Sequence, residues 1–215
     1  GEGSAVEKLK ILVRSEIGKL RAVIMQPPGK GIERCTPLNV GSLSWDAVPS
    51  PAKAAEEHRK WVAAVESYGA RVFLFQDLLR DVFALHGVKE EWLPRILDAE
   101  RPFVSGQTLE VLLEFLSGLS PDVLVERLFF GMTKDELSRE TGEVSLGDLA
   151  DKTSEWCLFP MTNVLYSRDS GAVLGDGMIF GRMLNRDRMK EPPCLRAIFR
   201  RHPMLKDAGW KTWYG

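Results

Sequence analysis

The side chains best suited to chemistry in this sequence lie in one stretch, MTNVLYSRDSGAVLGDGMIFGRM, at residues 161–183. Asn163, Tyr166 and Asp169 are spaced three residues apart, at and beyond the end of an apolar strand in a predicted strand-turn-strand pattern. If the chain bends just before Asp169, an amide, an aromatic ring and a carboxylate line one pocket. A guanidinium group stacks on an aromatic ring and donates paired hydrogen bonds to a carboxylate. The spacing therefore fits a site for a planar cation, and the alternative is an exposed turn in which Asp169 pairs with Arg168.

A second group of charged side chains follows in NRDRMKEPP, at residues 185–193. Arg182, Arg186 and Arg188 are close in sequence to the predicted acidic pocket. An arginine beside such a pocket can hold a substrate carboxylate through a two-pronged contact. The alternative interpretation is a solvated, arginine-rich loop that precedes a helix.

The cysteines and histidines do not indicate a metal site. Cys35, Cys157 and Cys194 form an odd, sparse set without C-x-x-C spacing, which argues against a disulfide framework or a structural zinc site. We expect small, buried thiols in a reducing, cytoplasmic protein. The three histidines are scattered, and none has a cysteine or carboxylate at metal-ligand spacing. No metal and no cofactor is predicted.

The overall composition is ordinary for a globular protein. Of the 215 residues, 44% are hydrophobic and 27% are charged. The formal net charge of −1 and the isoelectric point of about 6.4 do not favour a nucleic acid or an anionic membrane as a partner. No apolar run approaches the roughly 20 residues that a membrane-spanning helix needs.

Apolar patterns and turn signals predict an α/β unit in the first third of the chain. KLRAVIM forms a strand that ends at a Pro-Pro-Gly turn, and RVFLF forms a second buried strand. Between them a helix begins at Pro51, with Ser50 as its N-cap, and stops at Gly69. Its predicted buried face consists of Ala55, Trp61, Val62 and Val65.

The following part of the chain, from Asp77 to Leu149, has a helical pattern nearly throughout, in short segments bounded by Gly, Pro or Ser/Thr caps. This pattern is typical of an inserted helical bundle. We predict a helical domain at residues 77–154 and an incomplete α/β domain made of residues 1–76 and 155–215.

Strand-like sequence returns after this helical stretch. A Gly-Asp-Gly turn at 175–177 and the following GRM are predicted to complete a meander. EPPCLRAIFRR then forms a helix whose first turn holds the prolines, and WKTWY forms a last strand.

Taken in order, these segments resemble the N-terminal portion of an arginine deiminase, a member of the guanidine-modifying enzyme superfamily. The two most specific blocks are SEIGKLRAVIMQPPGKGIERCTP and TNVLYSRDSGAVLGDGMIFGRM. The helical stretch adds to the resemblance, because arginine deiminases carry a helical insertion that the related dimethylarginine hydrolases lack.

The resemblance implies a pentein-like fold, a five-bladed α/β propeller with an inserted α-helical bundle. It also implies hydrolysis of L-arginine to L-citrulline and ammonia without a cofactor. In that family a cysteine attacks the guanidinium carbon, two carboxylates grip the guanidinium nitrogens and a histidine moves protons. Resonance makes a guanidinium a poor electrophile, so the carboxylates must orient it while a thiolate supplies the nucleophile.

The resemblance also assigns roles to residues of this sequence. Asp169 matches the first guanidinium-binding carboxylate. Tyr166 stands where the family usually has Phe and packs against the substrate. Asn163 matches a residue that helps to hold the amino-acid end, and Arg188 matches an arginine that binds the substrate carboxylate. Arg168 is expected to orient its neighbours rather than to touch the substrate.

Other catalytic groups of the family have no counterpart in residues 1–215. These are the second carboxylate in a Glu-Gly-Gly-Asp segment, a His-x-Asp and a late cysteine. We therefore expect a fragment that is inactive alone and whose partners are L-arginine, the missing C-terminal half of the propeller and further copies of itself. Two alternatives remain: a non-catalytic module that binds arginine or a protein partner, and another guanidine-modifying hydrolase or amidinotransferase. The helical insertion argues against the second alternative.

Overall fold

The computed structural model describes residues 7–144, 147–148 and 154–215, and within them the chain is mixed α/β. The strands are β1 (Ala22–Met25), β2 (Arg71–Leu74), β3 (Met132–Thr133), β4 (Trp156–Leu158), β5 (Gly171–Leu174), β6 (Gly177–Phe180) and β7 (Lys211–Tyr214). The α-helices are α1 (Pro51–Ser67), α2 (Phe75–Phe83), α3 (Val88–Leu97), α4 (Gly106–Ser117), α5 (Pro121–Phe130), α6 (Lys134–Thr141), α7 (Ser167–Ser170) and α8 (Glu191–Arg201). Short 3-10 turns lie at Lys30–Arg34 and Asp98–Glu100.

The described part of the chain contains two β-α-β units, one early in the chain and one at its end. In the first, β1 and β2 pair in parallel and α1 connects them. In the second, β6 and β7 pair in parallel and α8 connects them, while β5 forms an antiparallel hairpin with β6. Gly175 occupies the hairpin turn with a φ of 60°, which confirms the predicted turn. β3 and β4 form a separate antiparallel pair.

Helix α1 begins at Pro51 after Ser50, as predicted. The prediction that Trp61 belongs to its buried face is wrong, because that side chain is 54% exposed. His58 is the buried residue of this helix, and Trp61 lies about 60° away from it around the helix axis. A two-stranded sheet offers a narrow apolar surface, so only one stripe of α1 is covered.

The helical middle of the chain builds most of the apolar core. Leucines at helical spacing form a stripe on α4, in which Leu109, Leu112 and Leu116 are buried and Leu113 is partly buried. The same cluster continues into β6 and α8 through Phe180 and Ile198. One exception to the helical pattern is β3, which forms an antiparallel pair with β4. Residues 149–153, beside the predicted domain boundary, lie outside the described residues.

The predicted strand-turn-strand over residues 161–183 is only partly correct. Residues 159–166 form no strand, and the segment turns into α7 before β5 begins. Local hydrogen bonds replace ladder bonds here: Tyr166 N donates to Asn163 O at 3.0 Å and Asp169 N donates to Tyr166 O at 3.2 Å. The predicted GRM strand at 181–183 is also absent, and β7 takes the place of the third strand beside the hairpin.

Candidate functional site

The guanidinium of Arg188 is the centre of the candidate site. Its Nη1 donates to Asp169 Oδ2 at 2.7 Å, and its Nε and Nη2 donate to the two carboxylate oxygens of Glu191 at 3.0 and 2.9 Å. Nη2 also donates to the carbonyl oxygens of Tyr166 at 3.1 Å and Asn163 at 3.4 Å. The structure therefore brings Arg188 into contact with the three other residues that the sequence singled out.

Two carboxylates with different exposure share this one cation. The Glu191 side chain is buried, whereas that of Asp169 is 56% exposed. Burial alone would lower the pKa of Arg188, but its hydrogen bonds to Glu191 and Asp169 outweigh burial and raise that pKa above its usual value. Burial raises the pKa of Glu191, against the opposing effect of hydrogen bonds from Arg188 and Ser170. Arg188 thus stays charged, and Asp169 is the solvent-facing end of the cluster.

Asp169 owes its position to α7, a single helical turn, and not to a partner next to it in sequence. Arg168 pairs instead with Glu16, whose Oε2 lies 2.8 Å from Nη1. The alternative in which Asp169 forms an ion pair with Arg168 is therefore wrong. Successive residues of a helical turn project in different directions, which separates the two side chains.

Asn163 and Tyr166 occupy different environments. The Asn163 side chain is buried, and its Nδ2 donates to Asp187 Oδ2 at 2.6 Å and to Leu43 O at 2.9 Å. The side-chain amide of Asn163 is thus directed to Asp187 and Leu43, while its backbone carbonyl accepts a hydrogen bond from Arg188. The Tyr166 side chain is exposed. The sequence predicted that the Asn163 amide, the Tyr166 ring and the Asp169 carboxylate line one pocket. In this structure the three groups do not all face the same space.

Arg186 and Arg188 of the arginine-rich loop are anchored, whereas Arg182 is exposed. Arg186 donates to Glu100, to Ser154 Oγ at 2.7 Å and to Trp156 O at 3.1 Å. Lys190 is fully buried against the same Glu100 carboxylate. The solvated-loop alternative is therefore wrong for Arg186 and Arg188.

Four charged residues of this network were not predicted from the sequence: Glu100, Asp187, Lys190 and Glu191. All four are fully buried. The only sequence signal for Asp187, Lys190 and Glu191 is the alternation of charge in RDRMKE immediately before two prolines, and Glu100 lies far from that stretch. That signal predicts neither their burial nor their partners.

The three thiols are free and buried, as predicted. Burial raises the pKa of Cys157 to about 12, with a contribution from the Glu100 charge, and it raises that of Cys194 to about 12. Burial also raises the pKa of Cys35. Since the thiolate is the nucleophile, none of the three is activated. Within residues 7–144, 147–148 and 154–215, no three His, Cys, Asp or Glu side chains are grouped for a metal ion. In the same ranges no helix is both long and apolar enough to span a membrane.

Comparison with known proteins agrees with the resemblance. The sequence profile of the arginine deiminase family matches residues 41–215. The chain is 34% identical to an arginine deiminase of Limosilactobacillus reuteri over 204 residues, which cover 94% of this chain and 49% of that protein. It is 32% identical to arginine deiminase 1 of Staphylococcus epidermidis, with the same two coverages, and 32% identical to an arginine deiminase of Lactococcus lactis, with 92% and 48%. The chain thus spans about half the length of the curated relatives that it matches. It belongs to the arginine deiminase family.

Proposed function

We propose that this chain is part of an enzyme that hydrolyses L-arginine to L-citrulline and ammonia. The observation that carries the proposal is the 2.7 Å contact between Arg188 and the exposed carboxylate of Asp169. Free arginine carries the same two charged groups, a guanidinium and a carboxylate. Family membership supports the same reaction and favours it over an amidinotransferase.

In this proposal the substrate binds by replacing the ion pair between Arg188 and Asp169. The substrate guanidinium replaces Nη1 of Arg188 at Asp169, and that nitrogen then donates to the substrate carboxylate. Arg188 keeps both contacts with Glu191 during this exchange, so its guanidinium remains fixed, and the exposed Asp169 side chain turns away from it to meet the substrate guanidinium. One intramolecular ion pair is thereby replaced by two intermolecular pairs, which favours a ligand that carries both charges.

Tyr166 and Asn163 have supporting roles in this proposal. The exposed ring of Tyr166 packs against the substrate, and its hydroxyl adds a polar contact. Asn163 contributes through its backbone carbonyl, which accepts a hydrogen bond from Arg188, and through its side-chain amide, which donates a hydrogen bond to Asp187. This assignment keeps the buried Asn163 amide satisfied, whereas direct contact with the substrate would break its present hydrogen bonds.

The nucleophile, the second carboxylate and the proton-transferring histidine lie outside residues 1–215 in this proposal. The raised pKa values of Cys157 and Cys194 support it, because a nucleophilic cysteine needs a depressed pKa or an adjacent base. The chain alone is then without deiminase activity. We also propose that residues 1–76 and 155–215 contribute to a pentein propeller and that residues 77–154 form a helical insertion, in keeping with the two β-α-β units and the intervening run of helices.

The test is the Asp169→Asn variant of the full-length protein that contains this chain, with citrulline production as the assay. The loss of a charged, two-pronged contact worth about 3 kcal/mol corresponds to a fall in kcat/KM of roughly 100-fold. Asp176→Asn is the matched control, because Asp176 is an exposed carboxylate of the neighbouring hairpin turn that pairs with Lys211. Near-normal turnover by the folded Asp169→Asn variant would remove Asp169 from the site.

A further inference from the structure

A fully buried carboxylate, Glu100, lies at the end of the 3-10 turn that follows α3. Its Oε1 accepts hydrogen bonds from Phe159 N at 2.9 Å and from Lys190 Nζ. Its Oε2 accepts from Arg186 Nε at 2.9 Å. Both oxygens are thus engaged, and two cations and one N–H surround a single negative charge.

The three partners of Glu100 belong to the two segments that carry the candidate site. Phe159 begins the segment that continues through Asn163 to Asp169. Arg186 and Lys190 flank Arg188, each at a distance of two residues in sequence. One side chain from the helical region therefore holds both segments, although Glu100 itself makes no contact with Asp169 or Arg188.

The strength of this anchor follows from its burial. A charged group removed from water is tolerated only when it is paired and hydrogen-bonded, and the removal of one partner leaves the others uncompensated. Without the Glu100 charge, Arg186 and Lys190 would be two cations close together in the interior. Their repulsion would act on the backbone on both sides of Arg188.

We infer that Glu100 is a positioning residue of the proposed substrate site, which holds Arg188 in place for the substrate carboxylate without touching the substrate. This inference depends on the proposed function. It makes a specific distinction between ligands. A ligand with a carboxylate uses Arg188, and the decarboxylated analogue of arginine does not.

The experiment compares Glu100→Gln with Asp98→Asn in the full-length protein. Glutamine keeps the shape of Glu100 but removes its charge, and Asp98 is an exposed carboxylate in the same turn that contacts Arg101. The expected result is a KM for arginine raised about tenfold with a smaller change in kcat, and a Ki of the decarboxylated analogue within about twofold of the wild type. Asp98→Asn is expected to leave both constants unchanged.

Two outcomes would overturn the inference. In the first, KM for arginine stays within about twofold while the melting temperature falls, so that Glu100 only stabilises the fold. In the second, KM and the Ki of the analogue rise equally. If Glu100→Gln does not fold, Arg186→Gln removes one of the two cations, and an unchanged KM in that folded variant overturns the inference as well.

A second readout is independent of turnover. Hydrogen–deuterium exchange is expected to become faster in residues 159–166 and 185–191 of Glu100→Gln and to stay unchanged there in Asp98→Asn. Unchanged exchange at 185–191 in Glu100→Gln contradicts the inference directly. A wild-type protein that makes no citrulline would contradict the proposed function, and the exchange measurement would then decide whether Glu100 holds the loop.

Discussion

Replacement of Arg34 by methionine is expected to destabilise the fold by about 2–4 kcal/mol. The Arg34 guanidinium joins the 3-10 turn after β1 to helix α6 through a two-pronged contact with Glu136, with Nη1–Oε1 and Nη2–Oε2 distances of 2.9 and 2.7 Å. It also lies 4.3 Å from the ring centroid of Phe130 and 4.7 Å from that of Trp156. Arg34 thus connects three separate parts of the chain.

The magnitude follows from these contacts. Charge-assisted hydrogen bonds contribute about 1.5–3 kcal/mol when they are shielded. The Arg34 side chain is 18% exposed and that of Glu136 is 25% exposed, so solvent weakens the pair and we count about 1.5–3 kcal/mol for both bonds together. The two cation–π contacts add about 0.5–1 kcal/mol, and methionine preserves part of the packing of the arginine stem.

The assay is a double-mutant cycle of Arg34→Met and Glu136→Gln, measured by urea unfolding of the 215-residue chain. Glutamine retains an acceptor for Thr133 N, which donates to Glu136 Oε2 at 2.7 Å, so the N-cap of α6 is preserved. The expected coupling energy is about 1.5–3 kcal/mol. The control cycle uses Lys60→Met and Glu56→Gln, an exposed pair on α1 for which we expect about 0.3–0.5 kcal/mol.

A coupling energy for Arg34 and Glu136 no larger than that of the α1 pair would refute the reasoning. It would mean that the two-pronged geometry adds nothing beyond a surface ion pair. A changed slope of the free energy of unfolding against urea would instead show that a substitution alters the unfolded or native ensemble, and the comparison would then be repeated by thermal unfolding.

Two further predictions concern pH and backbone strain. Burial raises the pKa of Glu136, but hydrogen bonds from Arg34 and Thr133 outweigh it and place the pKa below the usual 4.5. The stability that the charged Glu136 adds is therefore fully present above pH 4.5 and is lost as the pH falls through the folded-state pKa. The urea midpoints of wild type and Glu136→Gln should thus differ at pH 7 and converge in acid. Gly131→Ala is expected to destabilise the fold by about 2–4 kcal/mol, since φ is +76° and a Cβ would lie 2.7 Å from Pro160 N. Gly142→Ala, with a φ of +75° and open space, is expected to lose only about 1 kcal/mol by thermal unfolding, and equal losses at the two glycines would contradict the steric argument.

The sequence was most informative where a local rule determines structure. The start of α1 at Pro51, the hairpin turn at Gly175 and the first turn of α8 follow from the backbone preferences of proline and glycine. The leucine stripe of α4 follows from helical periodicity. The exposure of Trp61 could not be predicted in the same way, because it depends on how wide a surface β1 and β2 offer to α1.

The candidate site was less predictable for a related reason. Residue types near Asp169 indicated a cation-binding group, but the partner of each charge depends on contacts between segments far apart in sequence. The sequence offers both Arg168 and Arg188 as ion-pair partners of Asp169. The helical turn α7 directs Arg168 to Glu16 and leaves Asp169 to pair with Arg188. Glu100 precedes its two cationic partners by 86 and 90 residues, and no local pattern connects them.

The network around Glu100 also restricts how this sequence can change during evolution. An exposed pair such as Lys53 and Glu57 can lose either member at little cost. The loss of Glu100 alone is far more costly, because removal of one partner of a buried charge network costs about 3–5 kcal/mol, whereas replacement of the whole network by apolar residues can be neutral. Positions 100, 186 and 190 should therefore vary together among relatives, either all charged or all apolar.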